Sequence, residues 1–519
     1  MTTDSPATEA YDVEAVNAAK RRQPLYAPRQ KIFPKRTHGR FRSFKWLVMA
    51  VTLTIYYVTP WLRWDRGPYA PDQAVLVDLA NQRFYFFFIE IWPQEFYYVA
   101  GLLVMAGFGL FLVTSTVGRA WCGYACPQTV WVDLFLVVER GIEGDRNARM
   151  KLEAAPWTPD KLIKRVSKHS IWLLIGVATG GAWIYYFADV PTLLKDVVTL
   201  HAPFVAYATI GLLTVTTYTF GGLMREQVCT YMCPWPRIQG AMLDEHSLTV
   251  TYNDWRGEPR TRHAKKAIAE GKPVGDCVDC NACVVVCPMG IDIRDGQQLE
   301  CITCALCIDA CDDVMTKLGK EGGLISYATL GDYNRNMALA TGGLATVSPE
   351  RVRDRLTGKL VDAIAHTNWR SIVRPRTVVY LIGWLAIGLT MLTVLSLRTP
   401  VSISVLHDRN PQFVTLKDGT IQNGYDVKIL NMTPAPRQVH LTLEGIDGVR
   451  MSLAEQPNET AGIDLNLEPD AVAPLRIYVE ADPAQLASAR TPLTMTVTTA
   501  DGKIHASAVT QFEAPEPSK

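Results

Sequence analysis

The sequence predicts an α-helical membrane protein with five transmembrane helices, a small cysteine-rich α+β domain on one face and an all-β domain at its C-terminus. Three observations carry that expectation. Five apolar stretches approach bilayer length, eight cysteines fall in two runs of identical spacing, and residues 398–519 alternate short β-branched runs with turn signals. At 519 residues, 48% hydrophobic and only 20% charged, the chain has room for two or three domains with part of it in lipid. A formal net charge of +1 offers no electrostatic case for nucleic acid.

Residues 1–43 combine prolines with basic residues and read as a flexible cytoplasmic tail. Residues 44–224 hold four of the apolar stretches, at about Trp46–Leu62, Phe96–Val117, Ser170–Ala188 and Pro203–Met224, and 377–397 holds the fifth, Thr377–Leu397. Trp46, Trp61 and Trp64 flank the first as interfacial anchors do. No small-residue cleavage site follows that stretch, so no cleaved leader is expected. Lys and Arg set the orientation. Ten lie in residues 1–45 and nine in 118–169, against three in 63–95 and only Lys195 in 189–202; Arg370, Arg374 and Arg376 precede the last span. The alternation puts the N-terminus, residues 118–169 and residues 225–376 in the cytoplasm, and the tail after Arg398 in the periplasm.

Cysteine usage agrees. All twelve lie between Cys122 and Cys311, on the side assigned to the reducing cytoplasm, and the external tail has none. Within that tail Val401–Leu406, Tyr425–Leu430, Gln438–Leu443, Leu475–Val479 and Leu493–Thr498 read as strands of a small immunoglobulin-like sandwich, a docking or stabilising module without catalytic groups.

The two runs are Cys277-x2-Cys280-x2-Cys283-x3-Cys287 and Cys301-x2-Cys304-x2-Cys307-x3-Cys311. In this spacing three thiolates wrap one corner of an iron–sulfur cube and the fourth reaches to its neighbour. Cys277, Cys280, Cys283 and Cys311 are thus expected on one [4Fe–4S] cluster, and Cys301, Cys304, Cys307 and Cys287 on the other. Zinc ribbons are the rival, but they pair Cys-x2-Cys with a distant partner pair. Residues 225–376 are therefore expected to form a two-cluster ferredoxin-like domain that moves electrons.

The other four cysteines form two Cys-x3-Cys-Pro units, Cys122–Pro127 and Cys229–Pro234, each just past an arginine (Arg119, Arg225) at the cytoplasmic end of a span. On a continuing helix the i and i+4 thiols share a face, and the proline marks its end or a kink. Spans two and four run in the same direction, so side-by-side packing assembles four sulfurs at the membrane boundary. Such a set favours Cu(I), zinc or an iron–sulfur centre, with Met224, Met232 and Met242 as further sulfur donors nearby.

Absences narrow the chemistry. There is no dinucleotide fingerprint and no phosphate-binding loop; Gly107-Phe108-Gly109 is helix packing. His169 and His201 mark membrane edges, His246 and His263 read as solvated, and none is placed to sandwich a haem. Glu90 and Glu95 flank Trp92-Pro93 and read as an ordinary solvated boundary, with proton or quinol chemistry the alternative. Electrons must then come from another protein or a quinol.

The motifs Trp121-Cys-Gly-Tyr-Ala-Cys-Pro-Gln128, Cys229-Thr-Tyr-Met-Cys-Pro-Trp235, Tyr252-Asn-Asp-Trp-Arg-Gly-Glu-Pro-Arg260 and Cys287-Pro-Met-Gly-Ile-Asp-Ile-Arg-Asp-Gly296 together resemble the FixG/RdxA/CcoG family of bacterial membrane-bound ferredoxin-like proteins. The resemblance spans nearly the whole chain. One departure from the general bacterial ferredoxin run is Asp312, where proline usually follows the last cysteine. The resemblance implies a multi-pass protein of the bacterial inner membrane that reduces Cu(II) to Cu(I) for assembly of cbb3-type cytochrome c oxidase. Copper would be held near Cys122, Cys126, Cys229 and Cys233, and copper-transport and oxidase-assembly proteins would be its partners. A quinol-linked relay without copper chemistry and a non-enzymatic assembly scaffold are the alternatives. The oligomeric state stays open, a homodimer being one option.

Overall fold

A computed structural model describes residues 31–515 apart from 69, 341–350, 354–359, 363–371, 434, 455, 461, 487 and 503. Most of the expected flexible tail, residues 1–30, lies outside these. Residues 31–43 are not free. Lys35 N–H donates to Val285 O at 2.8 Å, Arg140 reaches Pro34 O at 3.2 Å, and Lys31 pairs with Glu153 at 2.7 Å. The segment straps the cysteine-rich domain to the helices beneath it.

Among the described residues three helices are long and apolar enough to cross a membrane: Pro93–Val117, Phe204–Met224 and Pro375–Ser396. The other two expected spans are also helical, at Arg40–Val58 and Pro159–Ile184. Their charged first turns make them less uniformly apolar: Arg40, Arg42 and Lys45 in one, Asp160, Lys161, Lys164, Arg165 and Lys168 in the other. Small residues let the helices close on each other. A Cβ on Gly180 would meet Ile210 Cα at 2.9 Å, and one on Gly383 would meet the Phe108 ring at 2.9 Å.

Residues 63–95, expected to connect the first two spans, contain a three-stranded antiparallel sheet of Val75–Asp78, Arg83–Phe86 and Ile89–Ile91. In the cysteine-rich domain Thr249–Tyr252 pairs antiparallel with Ile325–Ala328 and backs the helices Ala282–Val286 and Leu306–Lys317.

The C-terminal domain is a sandwich of two antiparallel sheets. One runs Gln456–Thr460, Arg450–Leu453, Ala471–Ala481, Ile421–Asn431, Val401–His407, with Val414–Thr415 added to Ile421–Asn431. The other runs Gly462–Leu467, Arg437–Glu444, Arg490–Thr499, His505–Glu513. All five expected strand segments lie in these strands. Alternate residues Tyr425, Val427, Ile429, Ile477 and Val479 point inward and meet Leu441, Leu493, Met495, Val497 and Phe512 in one buried core.

Candidate functional site

The two cysteine runs fold alike. Asp279 and Asn281 in the first, and Thr303 and Ala305 in the second, all have positive φ, between 49° and 58°. Two left-handed residues at matched places in each run are rare for non-glycine residues. They turn the backbone between the first three cysteines of each run; Cys283 then lies in the helix Ala282–Val286 with Cys287 just past its end, and Cys307 and Cys311 lie in the helix Leu306–Lys317. Cys277, Cys283 and Cys311 lie in one packed core with Tyr252, Ile308 and Met315. Burial pushes the Cys311 thiol up to about 12, with Cys283, Asp312, Cys277 and Cys280 adding to the effect. Burial likewise pushes Cys287 up to about 12, its sulfur neighbours being Cys304 and Cys301. The last cysteine of each run thus stands among the first three of the other.

This donor set fits cubane clusters. Cys277, Cys283, Cys304 and Cys311 are buried and Cys280 is exposed, none of the eight is in a disulfide, and burial makes Cys283, Cys287 and Cys311 resist ionisation until a metal supplies the compensating charge. Among the described residues no three His, Cys, Asp or Glu side chains converge on a single ion; thiols spread around a cube need not do so.

The Cys-x3-Cys-Pro units depart from the expected continuous helix. Cys122 lies in a short helix, Ala120–Tyr124, while Cys126 is extended (φ −59°, ψ 129°) and precedes the helix Pro127–Glu143. In the second unit Cys229 lies in a π-helical turn, Val228–Met232, and Cys233 is again extended (φ −80°, ψ 121°). Each proline bars the α conformation from the cysteine before it, so the two thiols of a unit do not share a helical face.

The two units nevertheless come together. Gln128 donates to Phe220 O at 2.8 Å and to Arg225 O at 3.1 Å, binding the first unit to the second. The Cys122 thiol donates to Gln239 Oε1 at 3.0 Å, just beyond the second unit. Burial lifts Cys122 to about 12 and Cys229 to about 11, and all four thiols of the units act on one another electrostatically. Cys122 is buried while Cys233 is exposed, so the group opens on one side.

This group abuts the second cysteine run. Cys122, Ile302 and Cys304 belong to one packed core, completed by Val286, Leu306 and Ala310. Gly123 lies so close that an added Cβ would stand 2.6 Å from Ile302 O and 3.0 Å from Cys304 Cα. The Tyr124 hydroxyl bonds the Cys304 carbonyl.

Other expected residues fall elsewhere. His169 accepts or donates a 2.9 Å hydrogen bond with Tyr218 and packs edge-on against Trp172. Glu90 and Glu95 are not a solvated boundary. Arg83 pairs with Glu90 at 3.4 Å and with Asp470 at 3.7 Å, and Arg398 pairs with Glu95 at 3.2 Å. Burial, then the charge of Asp470, raises Glu90 to about 7. These ties fasten the small sheet to the C-terminal sandwich rather than to the sulfur groups.

Sequence reasoning assigned no part to Tyr124, Gln128, Gln239 or Asp309. The Asp309 carboxylate accepts from Phe41 N at 3.3 Å and Arg42 N at 2.7 Å, capping the helix Arg40–Val58 from the cysteine-rich domain. Only the position of Gln128 directly after a Cys-Pro pair hinted at such roles.

Comparison with known proteins falls on the same regions. A 4Fe-4S dicluster domain model matches residues 224–330, a 4Fe-4S binding domain model matches 99–142, and an IG-like fold model for the C-terminal of FixG matches 391–515. The nitrogen fixation protein FixG of Rhizobium meliloti is 68% identical over 480 residues, covering 92% of this chain and 91% of that protein. Protein RdxA of Cereibacter sphaeroides is 51% identical over 466 residues, covering 89% and 92%. A crystal structure of a FixG-related protein from Vibrio parahaemolyticus aligns with 22% of this chain and 97% of its own at 25% identity, with a TM-score of 0.19.

Proposed function

Since this chain belongs to the FixG/RdxA family of membrane-associated iron–sulfur proteins, we propose that it is an oxidoreductase of the bacterial inner membrane that reduces Cu(II) to Cu(I). On this reading Cys277, Cys280, Cys283 and Cys311 hold one cluster, and Cys301, Cys304, Cys307 and Cys287 the other. When bound, these clusters supply electrons one at a time. Cys122, Cys126, Cys229 and Cys233 receive the cupric substrate, and soft sulfur donors favour the cuprous product.

The observation that carries the reading is the shared core of Cys122 and Cys304, which brings the four-sulfur group against the second run. Exposed Cys233 offers an entry and exit. The reduced copper would serve assembly of cbb3-type cytochrome c oxidase, and the electron donor is a protein or a quinol on the cytoplasmic side.

Five crossings are part of the same proposal. Leu47, Val51 and Ile55 on the first helix, and Leu173, Leu174 and Val177 on Pro159–Ile184, are exposed apolar residues that call for lipid. The sulfur groups would then lie at the cytoplasmic face and the sandwich in the periplasm.

Replacing Cys126 and Cys233 by Ala tests the function. Cupric reduction should be lost while both clusters persist in EPR spectra; undiminished reduction would remove copper from this site. One observation favours a second reading, a relay with a further iron–sulfur centre on the four cysteines: the 4Fe-4S binding domain match at 99–142 contains Cys122 and Cys126. Iron well above eight atoms per chain in anaerobically purified protein, a figure set by two four-iron clusters and so roughly eight, would favour the relay.

A further inference from the structure

Arg119 is 4% exposed and heads the Ala120–Tyr124 helix, three residues before Cys122. Its Nη1 donates to Leu299 O, and its Nε has no hydrogen-bond partner. Among the described residues no carboxylate pairs with it. Its counterpart ahead of the second unit differs: Arg225 pairs with Glu139 at 2.9 Å and bonds Gly222 O. Arg42, also buried, pairs with Asp133 at 2.9 Å. A buried guanidinium without an anion is strongly unfavourable, so its counter-charge must come from another kind of group. Leu299, which Arg119 holds, lies two residues before Cys301, and the Arg119 charge acts on the thiols of Cys122 and Cys229 from the two Cys-x3-Cys-Pro units and of Cys301 from the second run, with Glu226 also acting on Cys229.

We infer that Arg119 is the shared counter-charge of the two sulfur groups, a positioning residue that couples the charge on Cys122 and Cys229 to that of the centre held by Cys301, Cys304, Cys307 and Cys287. This rests on the cluster and copper assignments proposed above. Thiolates bound to metal carry the negative charge that Arg119 lacks in a carboxylate, and each added electron deepens it. A fixed cation at short range in a poorly polarisable core favours the more negative state of either group. The first run has a different cation nearby, Arg294, already neutralised by Asp279 and Asp292 at 2.7 Å and 2.6 Å. The influence of Arg119 is therefore confined to one of the two clusters.

The test uses full-length protein purified anaerobically in detergent, with EPR-monitored redox titration and Cu(I) competition against a chromophoric chelator. In Arg119→Gln one cluster couple should move to lower potential while the other stays, and Cu(I) affinity should fall about 10- to 100-fold. Arg119→Lys, which keeps the charge but loses the fork, should restore most of the potential. In unsubstituted protein, loading Cu(I) should lower that same couple, a measurement independent of whether the variants fold. Unmoved couples, or both moving together, overturn the inference. Wild-type protein that lacks two EPR-active clusters would instead refute the assignment beneath it.

Discussion

The phenol of Tyr124 donates a 3.1 Å hydrogen bond to the carbonyl of Cys304. Tyr124 stands between the cysteines of the first Cys-x3-Cys-Pro unit, and Cys304 is the second cysteine of the second run. A single bond thus joins two sulfur groups 180 residues apart in the chain, and several expectations depend on that junction.

Tyr124→Phe should lower stability by about 1 kcal/mol, the usual worth of one net hydrogen bond. Iron content should not change, and the rate at which pre-reduced protein reduces Cu(II) should fall. Thermal unfolding and stopped-flow reduction measure the two effects.

Gly123→Val should be more damaging. The new side chain would meet backbone atoms, Ile302 O and Cys304 Cα, that cannot rotate away. Separating the two groups should slow cupric reduction. Cluster EPR signals of normal intensity would show that the defect lies in transfer and not in assembly.

Asp309→Ala removes the cap shared by Phe41 N and Arg42 N. A loss of about 1 kcal/mol is expected at this helix start. Because that start also joins the cysteine-rich domain to the first helix, trypsin should cut after Arg36 or Arg40 faster than in the parent protein.

The junction of the small sheet and the sandwich should respond to pH. Burial and Asp470 raise Glu90 from 4.5 to about 7 in the folded protein. The folded state therefore binds this proton more tightly than the unfolded chain. The associated stability is full below about pH 4.5 and is lost as pH rises through about 7. Its upper bound is about 3.5 kcal/mol, from about 1.4 kcal/mol per pKa unit. Thermal melts from pH 5 to 8 should fall in Tm with rising pH, and Glu90→Gln should flatten the trend; an unchanged slope in Glu90→Gln would assign it to other groups.

Local patterns in the chain foretold much of this. The 24-residue offset between the runs reappears in the paired left-handed residues Asp279/Thr303 and Asn281/Ala305, and the alternation around Tyr425–Leu430 and Leu493–Thr498 reappears as inward-facing core positions. Contacts between distant segments that carry no motif were not legible. Glu90 and Asp470 lie far apart in sequence, as do Asp309 and Phe41, and neither pair leaves a periodic signal. Burial of Glu90 could not be foreseen without its partners. The break at each Cys-Pro was legible in principle, since proline restricts the residue before it, but helical spacing of the cysteines suggested a shared face that the backbone does not form. The strands of the small sheet are three and four residues long, too short for alternation to stand out from a loop.

The most direct measurement starts from full-length protein reduced under anaerobic conditions, freed of reductant by gel filtration and mixed with a limiting amount of Cu(II). Freeze-quench EPR should find the cupric signal and the reduced-cluster signal disappearing together, one electron per copper. A cupric signal that persists beside clusters that stay reduced would contradict electron transfer from the paired runs to copper at the Cys-x3-Cys-Pro group.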